Sequence, residues 1–193
     1  MFTKSSAHTT AILINAEIIN ETEKEVYEYG FRMLFAYLFN LMTAIAIGIT
    51  MGQLWECLVL TFVFVPLRSY AGGYHASSEG KCYVLSVGMV VLDLFMLRYF
   101  PGWFHIGVGI LVLLAAAAII MLLAPVENKN KPLDLDEIRV YSRRTYIVLT
   151  IELVIAIFCC IFSITTVFWV IVLGILSIAL SLIAGVRSNK LNL

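Results

Sequence analysis

Arg68-Ser69-Tyr70-Ala71-Gly72-Gly73-Tyr74-His75-Ala76-Ser77-Ser78-Glu79-Gly80-Lys81-Cys82 is a polar, glycine-containing run set between two strongly apolar stretches. It carries a histidine and a cysteine seven residues apart. Its surroundings read as a scaffold that embeds this run at the surface of a membrane.

Composition supports that reading. The chain has 193 residues, 61% of them hydrophobic and 13% charged, and a mean hydropathy of +0.95. A soluble domain is about half apolar and about a quarter charged, so an integral membrane protein is expected. The formal net charge is zero, which gives nucleic-acid binding no electrostatic support. Three of the four cysteines (Cys57, Cys159 and Cys160) lie in apolar spans, and Cys82 stands alone in the polar run. That is no secreted disulfide framework.

A membrane helix needs about 20 apolar residues. Outward from the central run, the spans are 54–67 and 82–100, then 31–51, 104–124, 146–162 and 165–186. The span 54–67 is short, so it is expected to be extended by its flanks, tilted or partly re-entrant, and Pro66 near its end marks a stop or kink. Only the turn Ser163-Ile164-Thr165-Thr166 separates the last two. Residues 1–30 mix apolar residues at helical spacing with Asn15, Glu17 and Asn20, followed by Glu21-Thr22-Glu23-Lys24-Glu25. They lack the uninterrupted core of a signal peptide. An interfacial amphipathic helix is expected there; a helix packed on the bundle is the alternative. The fold class is thus an all-α integral membrane protein of about six transmembrane helices with an N-terminal amphipathic helix. Residues 1–193 form a single membrane domain: 1–30 interfacial, 31–186 a six-span bundle with a loop at 68–82, and 187–193 a tail.

With six spans, all of the thirteen lysines and arginines except Arg98 fall on one side. Basic residues concentrate in cytoplasmic loops. Both termini, the polar run and the loop 125–145 are therefore expected in the cytosol of a cell-membrane protein.

A cysteine attacks as its thiolate, and a histidine within reach takes the proton or pairs with the anion. Seven residues along one helix separate two side chains by roughly 10 Å. His75 and Cys82 therefore meet only if the chain turns between them. Gly72 and Gly73 permit such a path. Ser77 or Ser78 suits a helix N-cap with Glu79 in the first turn, which puts Cys82 where the helix dipole favours an anion. The plain alternative makes His75 a loop residue and Cys82 a small hydrophobe at a helix start. A zinc site needs a third and usually a fourth ligand; His8 lies in the N-terminal segment and His105 on the other face, so no metal or other cofactor is expected.

The pattern Arg68, Gly72-Gly73-Tyr74-His75-Ala76, then Cys82 resembles the AgrB family, the accessory gene regulator membrane endopeptidases of Gram-positive quorum sensing. Size, span count and cytosolic termini fit as well. The resemblance implies a catalytic pair at His75 and Cys82, supported by Arg68 and Gly73. It extends less specifically to Lys129 and Lys131. No third catalytic member is evident; Ser77, Ser78 and Glu79 stay open. The implied substrate is an AgrD-like propeptide with a membrane-bound amphipathic leader, a small core and an acidic tail. The implied reaction cleaves the tail through a Cys82 acyl-thioester and closes a thiolactone ring. A homodimer is implied by the family alone.

Other residues have plainer readings. Lys81, Lys129 and Lys131 suit anchoring to anionic headgroups of the membrane lipids, whereas Arg68 suits the acidic tail. Asp93 and Glu152 lie inside spans, where carboxylates are costly; both are expected to make interhelical hydrogen bonds. Tyr99 and Trp103 suit an interfacial belt. Two other classes compete with the enzyme. A transporter or channel needs polar residues lining several spans, and only scattered ones such as Asn40, Asp93 and Glu152 occur. A non-catalytic membrane scaffold needs no reactive thiol.

Overall fold

A backbone surrounded by hydrocarbon has no water to bond, so each apolar stretch closes its N–H and C=O groups within itself as a helix. The computed structural model describes residues 2–74, 76, 78–99, 105–127 and 133–191. Its elements are α1 (Thr3–Asn15), a 3-10 turn (Glu21–Glu23), α2 (Lys24–Thr50), α3 (Leu54–Ala71), α4 (Glu79–Tyr99), α5 (Ile106–Leu123), α6 (Leu135–Ile161) and α7 (Thr165–Leu191). Six of them, α2 to α7, are long and apolar enough to cross a membrane. The chain is an all-helical, multi-pass membrane protein.

Several helices outrun the apolar stretches that announce them. α6 begins well before residue 146 because Asp134 caps it: its carboxylate accepts from the Glu137 N–H at 2.7 Å, and Glu137 returns the bond to the Asp134 N–H. α3 runs through Pro66 to Ala71 instead of stopping there. Its last turn is held from outside, with the Tyr70 ring 6.3 Å from that of Tyr141 and the Arg144 guanidinium over its face. The break between α6 and α7 falls at Ser163, whose φ is +57°, and the Ile164 N–H donates to the Cys159 carbonyl at 2.8 Å to close the turn.

α7 is the axis of the bundle. Two-thirds of its apolar stretch (67%) is buried, against at most 28% of any other span. It packs on α3, α4, α5 and α6, and its Phe168, Ile171, Ile175, Ile178 and Leu182 fill the core. α2 and α4 close the other flank, where Ala44 and Leu94 pack with Cys57 of α3. α1 lies on α2, with the Phe2 ring against Phe35 and Phe39 and with Ser6 and Thr10 buried. All four cysteines are free thiols.

The two intramembrane carboxylates differ. Asp93 on α4 accepts from the Ser177 hydroxyl on α7, the interhelical bond expected of it. Glu152 on α6 is just as buried, yet neither of its oxygens has a partner among the described residues. It shares the buried face of α6 with Leu149, Ala156 and Cys159.

One end of the bundle gathers the end of α3, the start of α4, the end of α5 and the end of α7. The Ala71 carbonyl accepts from Val126 N–H at 2.9 Å, and the Glu127 carbonyl accepts from the Asn189 side chain at 3.0 Å. At the opposite end, Arg98 donates to the Met51 carbonyl.

Candidate active site

The polar run sits at that gathered end, and helices close on it from both sides. α3 continues to Ala71 and α4 starts at Glu79, so only residues between them leave helical geometry. The turn out of α3 is made by Gly72 at φ +73° and Gly73 at φ +124°, conformations open in practice to glycine. Space enforces the same choice. A Cβ on Gly72 would strike the Val126 carbonyl oxygen, and one on Gly73 would strike the Arg68 guanidinium and lie 2.9 Å from Ser181 Oγ.

Arg68, in the last turn of α3, folds its side chain over this turn. One guanidinium nitrogen donates to the Gly72 carbonyl and another to the Tyr74 carbonyl. Among the described residues no carboxylate pairs with it. Its charge is met by carbonyl dipoles.

Ser78 caps α4, accepting from the Lys81 N–H at 3.3 Å through its hydroxyl and from the Cys82 N–H at 3.1 Å through its carbonyl. Cys82 is thereby in the first turn, half-buried, at the positive end of the helix dipole. The helix start is fastened to α2 by Tyr83, whose hydroxyl is 3.0 Å from that of Thr43 and whose ring is 5.2 Å from Phe39. Glu79 turns to α2 as well, 3.6 Å from Arg32.

Of the residues singled out from sequence, Arg68 and Gly73 meet in this turn, and Cys82 lies in the first turn of α4. Ser78 has a capping role and Glu79 an ion pair. His75, Ser77, Lys129 and Lys131 lie outside the described residues. Val126, Ser181 and Gly185, which wall the turn, were not singled out from sequence. Ser181 and Gly185 did leave a signal: two small residues four apart on an apolar helix mark a close approach.

The fold and site define a multi-pass helical membrane protein whose polar run is built into one end of the bundle around a helix-start thiol and a half-buried arginine. A family model for accessory gene regulator B matches residues 6–183. The chain belongs to that family. It is similar to AgrB-like protein 2 of Clostridium perfringens strain 13, 25% identical over 130 residues that make up 64% of this chain and 61% of the relative. It is also similar to an AgrB-like protein of Halalkalibacterium halodurans, 35% identical over 82 residues and 42% of each chain. A third such protein, from Clostridium perfringens strain SM101, is 27% identical over 130 residues, 64% of this chain and 61% of that one. The matched region thus spans about three-fifths of the two Clostridium relatives. No solved structure matches the chain.

Proposed function

We propose that the protein is a membrane cysteine endopeptidase that cuts the C-terminal tail from an AgrD-type quorum-sensing propeptide and cyclises what remains. The observation that carries this reading is the half-buried Cys82 thiol in the first turn of α4, directly after the glycine-bearing run whose turn Arg68 binds. A helix N-terminus is a setting that suits a nucleophilic cysteine.

Cys82 Sγ attacks the carbonyl carbon at the end of the core, and its proton goes to His75. The tetrahedral intermediate breaks its C–N bond. The departing tail amine takes that proton from His75, and the core stays on Cys82 as a thioester. The thiol of a core cysteine then attacks the thioester carbonyl. Its proton passes through His75 to the released Cys82 sulfur, and a thiolactone ring leaves. One thioester replaces another, so this step gains little free energy, and keeping water from the acyl-enzyme decides the outcome. The dense packing of α7 beside the turn supports such a dry site. Arg68, Gly73 and the lysines Lys129 and Lys131 are the supporting residues, the reaction takes place on the cytosolic side, and the working unit is a homodimer.

The test is tail cleavage in membranes. Cys82→Ala and His75→Ala should each abolish it while the protein still inserts, and the double variant should be little worse than either. Cys159→Ala and Cys160→Ala should cleave nearly normally. Cleavage by Cys82→Ala would sink the assignment.

A further inference from the structure

The geometry points to Gly185, on α7, as a positioning residue for the reaction: through the α7 backbone it seats Tyr74, the residue that precedes His75. This rests on the cysteine-endopeptidase reading above.

Both main-chain polar groups of Tyr74 are held, each by a different helix. Its N–H donates to the Ser181 carbonyl on α7 at 2.9 Å, and its carbonyl accepts from Arg68 on α3. An α7 carbonyl is free to accept from outside the helix only where the chain comes very near. Gly185, one turn further on, makes that approach possible. A Cβ there would lie 2.8 Å from the Gly73 carbonyl carbon, 2.8 Å from the Tyr74 nitrogen and 3.1 Å from Val126 Cγ1.

Neither partner can give way. The first two atoms are backbone, and α7 is wedged among four other helices. Alanine is the better helix former, so glycine at this buried position answers the contact and not the helix. A Cβ would push Tyr74 off Ser181, and Tyr74 is joined by its peptide bond to His75. Reacting groups displaced by about 1 Å lose on the order of a hundredfold in rate.

The experiment is Gly185→Ala in the full-length protein in nanodiscs, with propeptide cleavage followed as kcat and KM. The pH dependence of Cys82 alkylation by iodoacetamide is the second readout. We expect kcat to fall about tenfold or more, with KM within about twofold. We expect the alkylation profile to leave that of the wild type and approach that of His75→Ala. Gly88→Ala, on α4 with nothing within 4 Å of the added carbon, is the control that should match wild type. If Gly185→Ala does not fold, an ester variant decides by the same readouts: Tyr74 replaced by its α-hydroxy acid, which removes only the N–H. Wild-type kcat overturns the inference, and so does a lowered kcat with a wild-type alkylation profile, since that is a structural effect alone. Cleavage by Cys82→Ala would instead overturn the enzyme reading itself.

Discussion

The Ser177 hydroxyl lies 3.0 and 3.2 Å from the two carboxylate oxygens of Asp93, joining α7 to α4 deep in the bundle. Ser177→Ala removes that donor and leaves a buried carboxyl behind. Interhelical hydrogen bonds in membranes contribute about 0.6 kcal/mol on average and up to about 1.7. We therefore expect a lower unfolding midpoint in detergent, with cleavage retained, because Asp93 is some 16 Å along α4 from Cys82 at about 1.5 Å per residue. An unchanged midpoint would show that the bond contributes nothing.

Glu152 should behave in the opposite way. Its two oxygens find no partner among the described residues, and a buried polar group left unsatisfied costs about 1–3 kcal/mol. Glu152→Met, close in volume and apolar, should raise the unfolding midpoint and leave cleavage within about twofold, since packed apolar replacements of buried charges are often stabilising. Loss of cleavage in a folded Glu152→Met protein would assign that carboxyl a role in the reaction.

Arg68→Lys keeps the charge but not the fork. The guanidinium bonds two carbonyls two residues apart, Gly72 and Tyr74, and a single ammonium does not reproduce that planar geometry. We expect cleavage to drop by about a hundredfold in protein that accumulates at wild-type levels. Near-normal turnover would mean that positive charge alone suffices.

Cleavage and cyclisation should be separable. A propeptide whose core nucleophile is replaced by alanine should still be cut, because acylation needs only the Cys82 thiolate and a protonated leaving amine. The acyl group then lacks its intramolecular acceptor. Mass spectrometry should find it on Cys82 as a hydroxylamine-sensitive adduct, or find linear core released slowly. Normal turnover with no trappable adduct would exclude the covalent route.

Sidedness is open to a direct check. In a background with all four cysteines replaced by alanine, single cysteines at Lys4 and Arg187 should react only with reagents reaching the cytosolic face. One at Arg98 should react from outside. A reagent-accessible Arg187 position outside would break the six-span arrangement.

The spans were legible because each apolar stretch announces a helix by itself, and the start of α4 was legible in Ser78 followed by Glu79. The overhang of α6 left a local signal too, the Asp134 and Glu137 pair three residues apart, which lies outside the apolar stretch. Pro66 left a stop and a kink both open because its cost is local, whereas the support that carries α3 past it, Tyr141 and Arg144 on Tyr70, is some seventy residues away in the chain. The glycines at 72 and 73 were readable as a turn. That Arg68 would spend its donors on that turn was not, because nothing in spacing tells an arginine facing a substrate from one facing its own backbone. The seat of Tyr74 on Ser181 joins residues more than a hundred apart, a distance over which periodicity carries no information.

The central place of α7 also bears on timing. Chains leave the ribosome N-terminus first at about 5 to 20 residues per second. About a hundred residues separate Cys82 from Gly185, so a nascent chain carries its thiol for roughly 5 to 20 s before the helix that seats Tyr74 exists. During that interval the thiol is already in the membrane but its surroundings are unassembled. If the proposed peptidase reading holds, insertion of the last helix is the event that arms the protein, and a chain stalled before it is expected to be inert toward peptide bonds.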